Sequence, residues 1–192
     1  MDMALRLTIM FILSMVVFLG ACGKDSIETN LSEPMVDFEF TSQDEKMISL
    51  DTLNGEWWIA NFMYTNCEAV CPVTTARLVD IQEELAEDDL KPEIISFSID
   101  PSTDTPDVLN DYAEQYGADL DSWNFLTGYE FEIIQKIAKD TFNSVLERGA
   151  EGLHSHGVDF YLINPEGVIV KKYNAMNEEE LKKLVNDLQA VL

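Results

Sequence analysis

Basic residues are scarce in this sequence: 12 lysines and arginines face 36 aspartates and glutamates, a formal net charge of −24. That deficit leaves no basic patch for phosphate, excludes nucleic acid as a partner and argues against electrostatic attachment to anionic lipid. Histidine is scarcer still, limited to His154 and His156, and the cysteines are Cys22, Cys67 and Cys71. No internal repeat is present. A chain of 192 residues, 46% of them hydrophobic, is long enough for one globular domain with a full core that does not depend on a disulfide.

A long apolar run is also missing. Leu7 to Leu19, broken only by Thr8 and Ser14, is too short to span a bilayer comfortably; Arg6 precedes it and Gly20, Ala21 and Cys22 follow. This is the pattern of a signal peptide, with an uncleaved anchor helix as the alternative because Asp2 and a lone Arg6 make a poor basic start. Leu19-Gly20-Ala21-Cys22 resembles the bacterial lipobox, which implies cleavage before Cys22 and lipidation of its sulfur. Two acyl chains suffice for stable anchoring, at about 0.8 kcal/mol per buried methylene. The chain therefore reads as a signal peptide over 1–21, a lipidated N-terminus and polar tether over 22–34, and a folded domain over 35–192 on the extracytoplasmic face of the cell membrane.

Within that domain, Val36 to Thr41 and Met47 to Leu50 alternate around a polar turn and predict a hairpin, and Trp57 to Tyr64 predicts a buried strand. Thr74, Leu78, Ile81 and Leu85 recur at helical spacing behind Pro72, placed at a first helical position. Ile94 to Ile99 predicts the next strand, Thr105-Pro106 a helix start, and Phe131, Ile134, Ile137 and Ala138 a third helix. Gly157 to Ile163 and Val168 to Tyr173 flank the turn Asn164-Pro165-Glu166-Gly167, and Asn177 with Glu180 forms a capping box for a last helix. This order predicts an α/β fold, a sheet covered by helices on both faces.

In such folds ligands collect where a strand's carboxyl end leads into a helix, which is where Cys67 and Cys71 fall. Cys71, at the helix N-terminus, is expected to have a depressed pKa, and a thiolate is both nucleophile and soft metal ligand. Four residues apart, the two sulfurs can clasp one ion or form a disulfide. Three intervening residues, against two in most thiol exchangers, favour metal. Both histidines lie in a loop that the inferred sheet order brings beside this site, and two thiolates with one imidazole suit copper, whereas structural zinc wants a fourth protein ligand. Met35 and Met63 read as packing residues.

The segment from Tyr64 to Pro72, Ser98-Ile99-Asp100-Pro101 with Asp104 and Pro106, Trp123 to Gly128, and His156 four residues before Phe160-Tyr161-Leu162 together resemble the Sco (SenC) family over residues 34 to 192. The resemblance implies a thioredoxin-like fold with a central mixed sheet, and a role in supplying copper to the binuclear copper centre of cytochrome c oxidase subunit II. An alternative within the family is thiol-disulfide reduction of that subunit's cysteines. It also implies one copper, Cu(I) or Cu(II), per monomer, with Cys67, Cys71 and His156 as ligands, rather than His154. Oxidised, Cys67 and Cys71 would form the redox-active disulfide. Ser155 stands where many members carry aspartate, leaving Asp100 or water as a fourth ligand of Cu(II).

Overall fold

The computed structural model describes residues 27–149 and 154–192, the side chains of residues 154 and 155 excepted. The signal peptide and Cys22 lie outside the described residues. The strands are β1 (Glu33–Pro34), β2 (Glu39–Ser42), β3 (Met47–Ser49), β4 (Trp58–Met63), β5 (Glu93–Ser98), β6 (Trp123–Thr127), β7 (Glu147–Arg148), β8 (His154–Ser155), β9 (Asp159–Ile163) and β10 (Val168–Asn174). The helices are α1 (Cys71–Ala86), α2 (Pro106–Tyr116), α3 (Phe131–Phe142) and α4 (Glu178–Val191).

Eight strands form one mixed sheet in the order β1-β10-β9-β4-β5-β6-β2-β3, and β7 pairs with β8 separately. β4, β5 and β6 run parallel, while β9 is antiparallel to β4 and β2 to β6. β4 is buried along its whole length, as a central strand between two others must be. Its two faces differ. Phe62 and Phe97 meet Phe142 of α3, with ring centroids 5.1 and 6.2 Å away, and Phe38 of the N-terminal segment closes the same cluster. On the other side Asn61 and Ser96 hydrogen-bond, and the Trp123 indole N–H donates to Ser96 at 2.8 Å. Tyr112 of α2 meets Phe125 on that side, with ring centroids 6.2 Å apart, so helices cover both faces, as expected.

α2 and α4 start where their sequence signals them. Thr105 Oγ1 accepts from the Val108 N–H, and Asn177 accepts from Glu179 and Glu180. The capping box is only half formed: the Asn177 N–H goes to the Asn174 carbonyl, and the Glu180 carboxylate takes Lys183 at 3.0 Å. Three features differ from expectation in extent. α1 begins at Cys71 itself, and β9 begins at Asp159 rather than Gly157. Residues 30–34, read as tether, lie along β10, with Asn30 and Leu31 donating to the Val170 carbonyl and Glu33 pairing with Ile169. Among the described residues, no helix is long and apolar enough to cross a membrane.

Candidate metal centre

The parallel strands β4 and β5 deliver their following loops to one end of the sheet, and β9, antiparallel to β4, starts at that same end. Cys67 therefore lies in the β4–α1 loop, Cys71 at the first position of α1, and His156 just ahead of β9. Their two Sγ atoms and an imidazole nitrogen lie within 4.8 Å of one another. Cys67 is 7% exposed and Cys71 fully buried, and both are free thiols.

The helix N-terminus does act on a sulfur, but the sulfur is that of Cys67. The Cys71 N–H donates to Cys67 Sγ at 3.5 Å. Burial alone would raise the Cys67 pKa, yet the N–H groups of Cys71, Ala69 and Val70, with the Cys71 side chain, outweigh it and hold the thiol below its ordinary value. Cys71 behaves oppositely: burial foremost, with the nearby Cys67 and Asp104 charges, pushes its thiol far above the ordinary range. The depression expected at Cys71 falls on Cys67 instead, because the Cys71 side chain turns into the core while the N–H groups at the helix start point at the sulfur in the preceding loop.

His156 is oriented by its neighbour. Its Nδ1 sits 2.7 Å from the Gly157 carbonyl oxygen, which can only accept, so Nδ1 carries the proton and Nε2 presents its lone pair. Nε2 faces Cys71 Sγ at 3.4 Å, and the protonated Cys71 thiol supplies the hydrogen between them. Tyr64, buried, meets the imidazole edge-on at 6.0 Å between ring centroids. A metal ion stands about 2.0–2.3 Å from nitrogen and sulfur donors, which bounds donor separations near 4.6 Å. A contraction of a few tenths of an ångström would close this set around one ion, so soft metal fits.

Asp100 stands apart from that set. Its carboxylate accepts from Ser102 at 2.9 Å, and its carbonyl accepts from the Thr103 and Asp104 N–H groups, the turn-capping role open to an aspartate before proline. His154 pairs through its backbone with Arg148 in the β7–β8 hairpin; its side chain falls outside the described residues. Met63 and Met35 are core residues, as expected. Sequence reasoning gave no role to Asp104 or Tyr129, which are buried beneath the site loops. Asp104 and Ser98 lie in the Sco-like segment from Ser98 to Pro106, but no spacing rule says which of its polar residues turn inward.

The SCO1/SenC family model matches residues 28–192. A SCO1 protein homolog from Bacillus subtilis (strain 168) is 37% identical over 175 residues, 91% of each chain. The crystal structure of a SCO1/SenC family lipoprotein from Bacillus anthracis str. Ames superposes with a TM-score of 0.83 at 35% identity, over 86% of this chain and 99% of that one. BsSco, a member of the Sco family of cytochrome c oxidase assembly proteins in which a disulfide switch is identified, gives a TM-score of 0.77 at 35% identity, covering 86% and 96%. A thioredoxin-like sheet with two cysteines at a strand-to-helix loop and a histidine brought alongside defines the class of protein. This chain belongs to the SCO1/SenC family.

Proposed function

We propose that this chain is a lipid-anchored, extracytoplasmic copper-binding protein that assists assembly of the binuclear copper centre of cytochrome c oxidase subunit II. One copper ion, Cu(I) or Cu(II), would be held by Cys67, Cys71 and His156. The observation that carries this reading is the convergence of two thiol sulfurs and one properly oriented imidazole nitrogen within 4.8 Å. Thiolate selects soft copper, and the imidazole extends the site to Cu(II), for which a fourth position remains to water or Asp100. The acylation of Cys22 is supported by the lipobox-like sequence before it and by the lipoprotein nature of the Bacillus anthracis relative. Membership in the family to which BsSco belongs supports the oxidase role.

A second reading, thiol-disulfide reduction of the same partner's cysteines, is favoured by one observation: the unequal thiols. An activated Cys67 beside a protonated Cys71 is the arrangement of an attacking and a resolving cysteine. Copper titration separates the two, because only thiolates ligate and oxidation joins the sulfurs. The reduced domain is expected to take up one equivalent of copper in competition with a chelator, and the oxidised domain none. Equal affinity before and after disulfide formation rules out Cys67 and Cys71 as the ligands; absence of stoichiometric copper binding by the reduced protein leaves the reductase reading in possession.

A further inference from the structure

Asp104, fully buried in the loop between β5 and α2, ties the end of β5 to the loop that carries Cys67. Its Oδ1 accepts from both the backbone N–H of Thr65, at 3.2 Å, and the Thr65 hydroxyl, at 2.5 Å. Its Oδ2 accepts from the Ser98 hydroxyl, whose oxygen in turn accepts from the Asp100 N–H at 3.0 Å. Tyr129, after β6, donates to the Ser98 carbonyl at 2.8 Å. Thr65, half-buried, stands two residues before Cys67 in the loop that leaves β4, and the Tyr64 carbonyl beside it accepts the Cys67 N–H at 3.2 Å. The carboxylate is thus the point where the cysteine loop is fastened to the rigid parallel strands.

Burying a carboxylate is costly: burial raises the Asp104 pKa against the lowering effect of Ser98 and Thr65. A residue kept there only for packing could be apolar at less cost. We propose that Asp104 is a positioning residue of the metal centre, clamping Thr65 to Ser98 and so setting where Cys67 Sγ stands relative to Cys71 and His156. What the loop is positioned for rests on the copper reading above; the clamp itself does not.

The test therefore has a metal-free arm. In the reduced domain without copper, Asp104→Ala is expected to speed amide hydrogen exchange at Cys67 and Cys71 by about tenfold or more relative to Ile95 and Leu162 in the sheet. Asp104→Asn, which keeps the acceptor oxygen for Thr65, is expected to stay within about twofold of wild type. In the copper arm, Asp104→Ala weakens Cu(II) by about tenfold and shifts the thiolate-to-copper absorption, and Asp104→Asn restores both. Should Asp104→Ala not fold, Thr65→Val removes one bond of the clamp and is expected to speed the same two amides by about threefold. Uniform acceleration throughout the sheet, equal damage from Asn and Ala, or site amides unmoved in Asp104→Ala and Thr65→Val would each overturn the proposal. Failure of the wild type to bind copper would remove the copper reading while leaving the exchange result to judge the clamp.

Discussion

At the start of α1 the backbone N–H groups of Ala69, Val70 and Cys71 gather on the sulfur of Cys67, while Cys71 turns into the core and meets His156. Two chemically identical side chains four residues apart are thereby made unequal in both acidity and access. Alkylation at neutral pH should consequently fall on Cys67, which is already partly thiolate below the usual thiol range and retains 7% exposure. Cys71, buried and protonated, should stay unmodified until the pH rises well above the ordinary thiol value or the domain unfolds. Peptide mapping after limited iodoacetamide treatment checks this; preferential labelling of Cys71 would mean that the N–H groups serve the other sulfur. Which cysteine is the thiolate was not legible in the sequence, because helix-terminus electrostatics depend on which sulfur the N–H vectors strike, and spacing alone leaves both open.

Among the elements, the β7–β8 hairpin delivers His156, and α3 holds it at Arg148 and at the buried Leu146 just before it. Glu147 pairs with Ser155 and Arg148 with His154; outside the hairpin, the Arg148 guanidinium lies 4.5 Å from the Phe131 ring centroid and Gln135 donates to the Leu146 carbonyl at 2.8 Å. An exposed cation–π contact contributes about 0.5–1 kcal/mol and one hydrogen bond about 1 kcal/mol, and each 1.4 kcal/mol is tenfold in affinity. The double substitution Arg148→Ala with Gln135→Ala should therefore weaken Cu(II) by about three- to thirtyfold, with alkylation of Cys67 unchanged because that loop is fastened elsewhere. Chelator competition on the double variant measures it; an undiminished Cu(II) affinity would show that the hairpin does not set the histidine. The hairpin itself escaped sequence reading, as did β1 and β6. Two-residue strands have no period to detect, and Trp123 to Thr127 is buried at nearly every position, so its apolar residues show no alternation. Helices α1 to α4 and the central strands β4 and β5 were legible, because 3.6-residue spacing behind Pro or Thr marks a helix, and apolar runs of six to eight residues bounded by turn signals are too short for one.

At the scale of the whole molecule, the fold converts sequence separation into proximity. Cys71 and His156 stand 85 positions apart in the sequence, and the β4–β9 pairing brings them to 3.4 Å. The inferred sheet order already brought the histidine loop beside the site, but the choice of His156 over His154 came from resemblance to the Sco family, whereas the cysteine pair announced itself by its position before Pro72. Copper binding as proposed requires that these three side chains form one shell. The measurement that tests it most directly is titration of Cu(II) into the reduced wild-type domain and into His156→Ala and His154→Ala, following the thiolate-to-copper absorption. Loss of one imidazole from a site that keeps both sulfurs should weaken Cu(II), which favours nitrogen in a tetragonal shell, far more than Cu(I), and His154→Ala should leave the spectrum of the one-equivalent complex essentially intact. A copper spectrum that survives His156→Ala, or one abolished by His154→Ala alone, would contradict it.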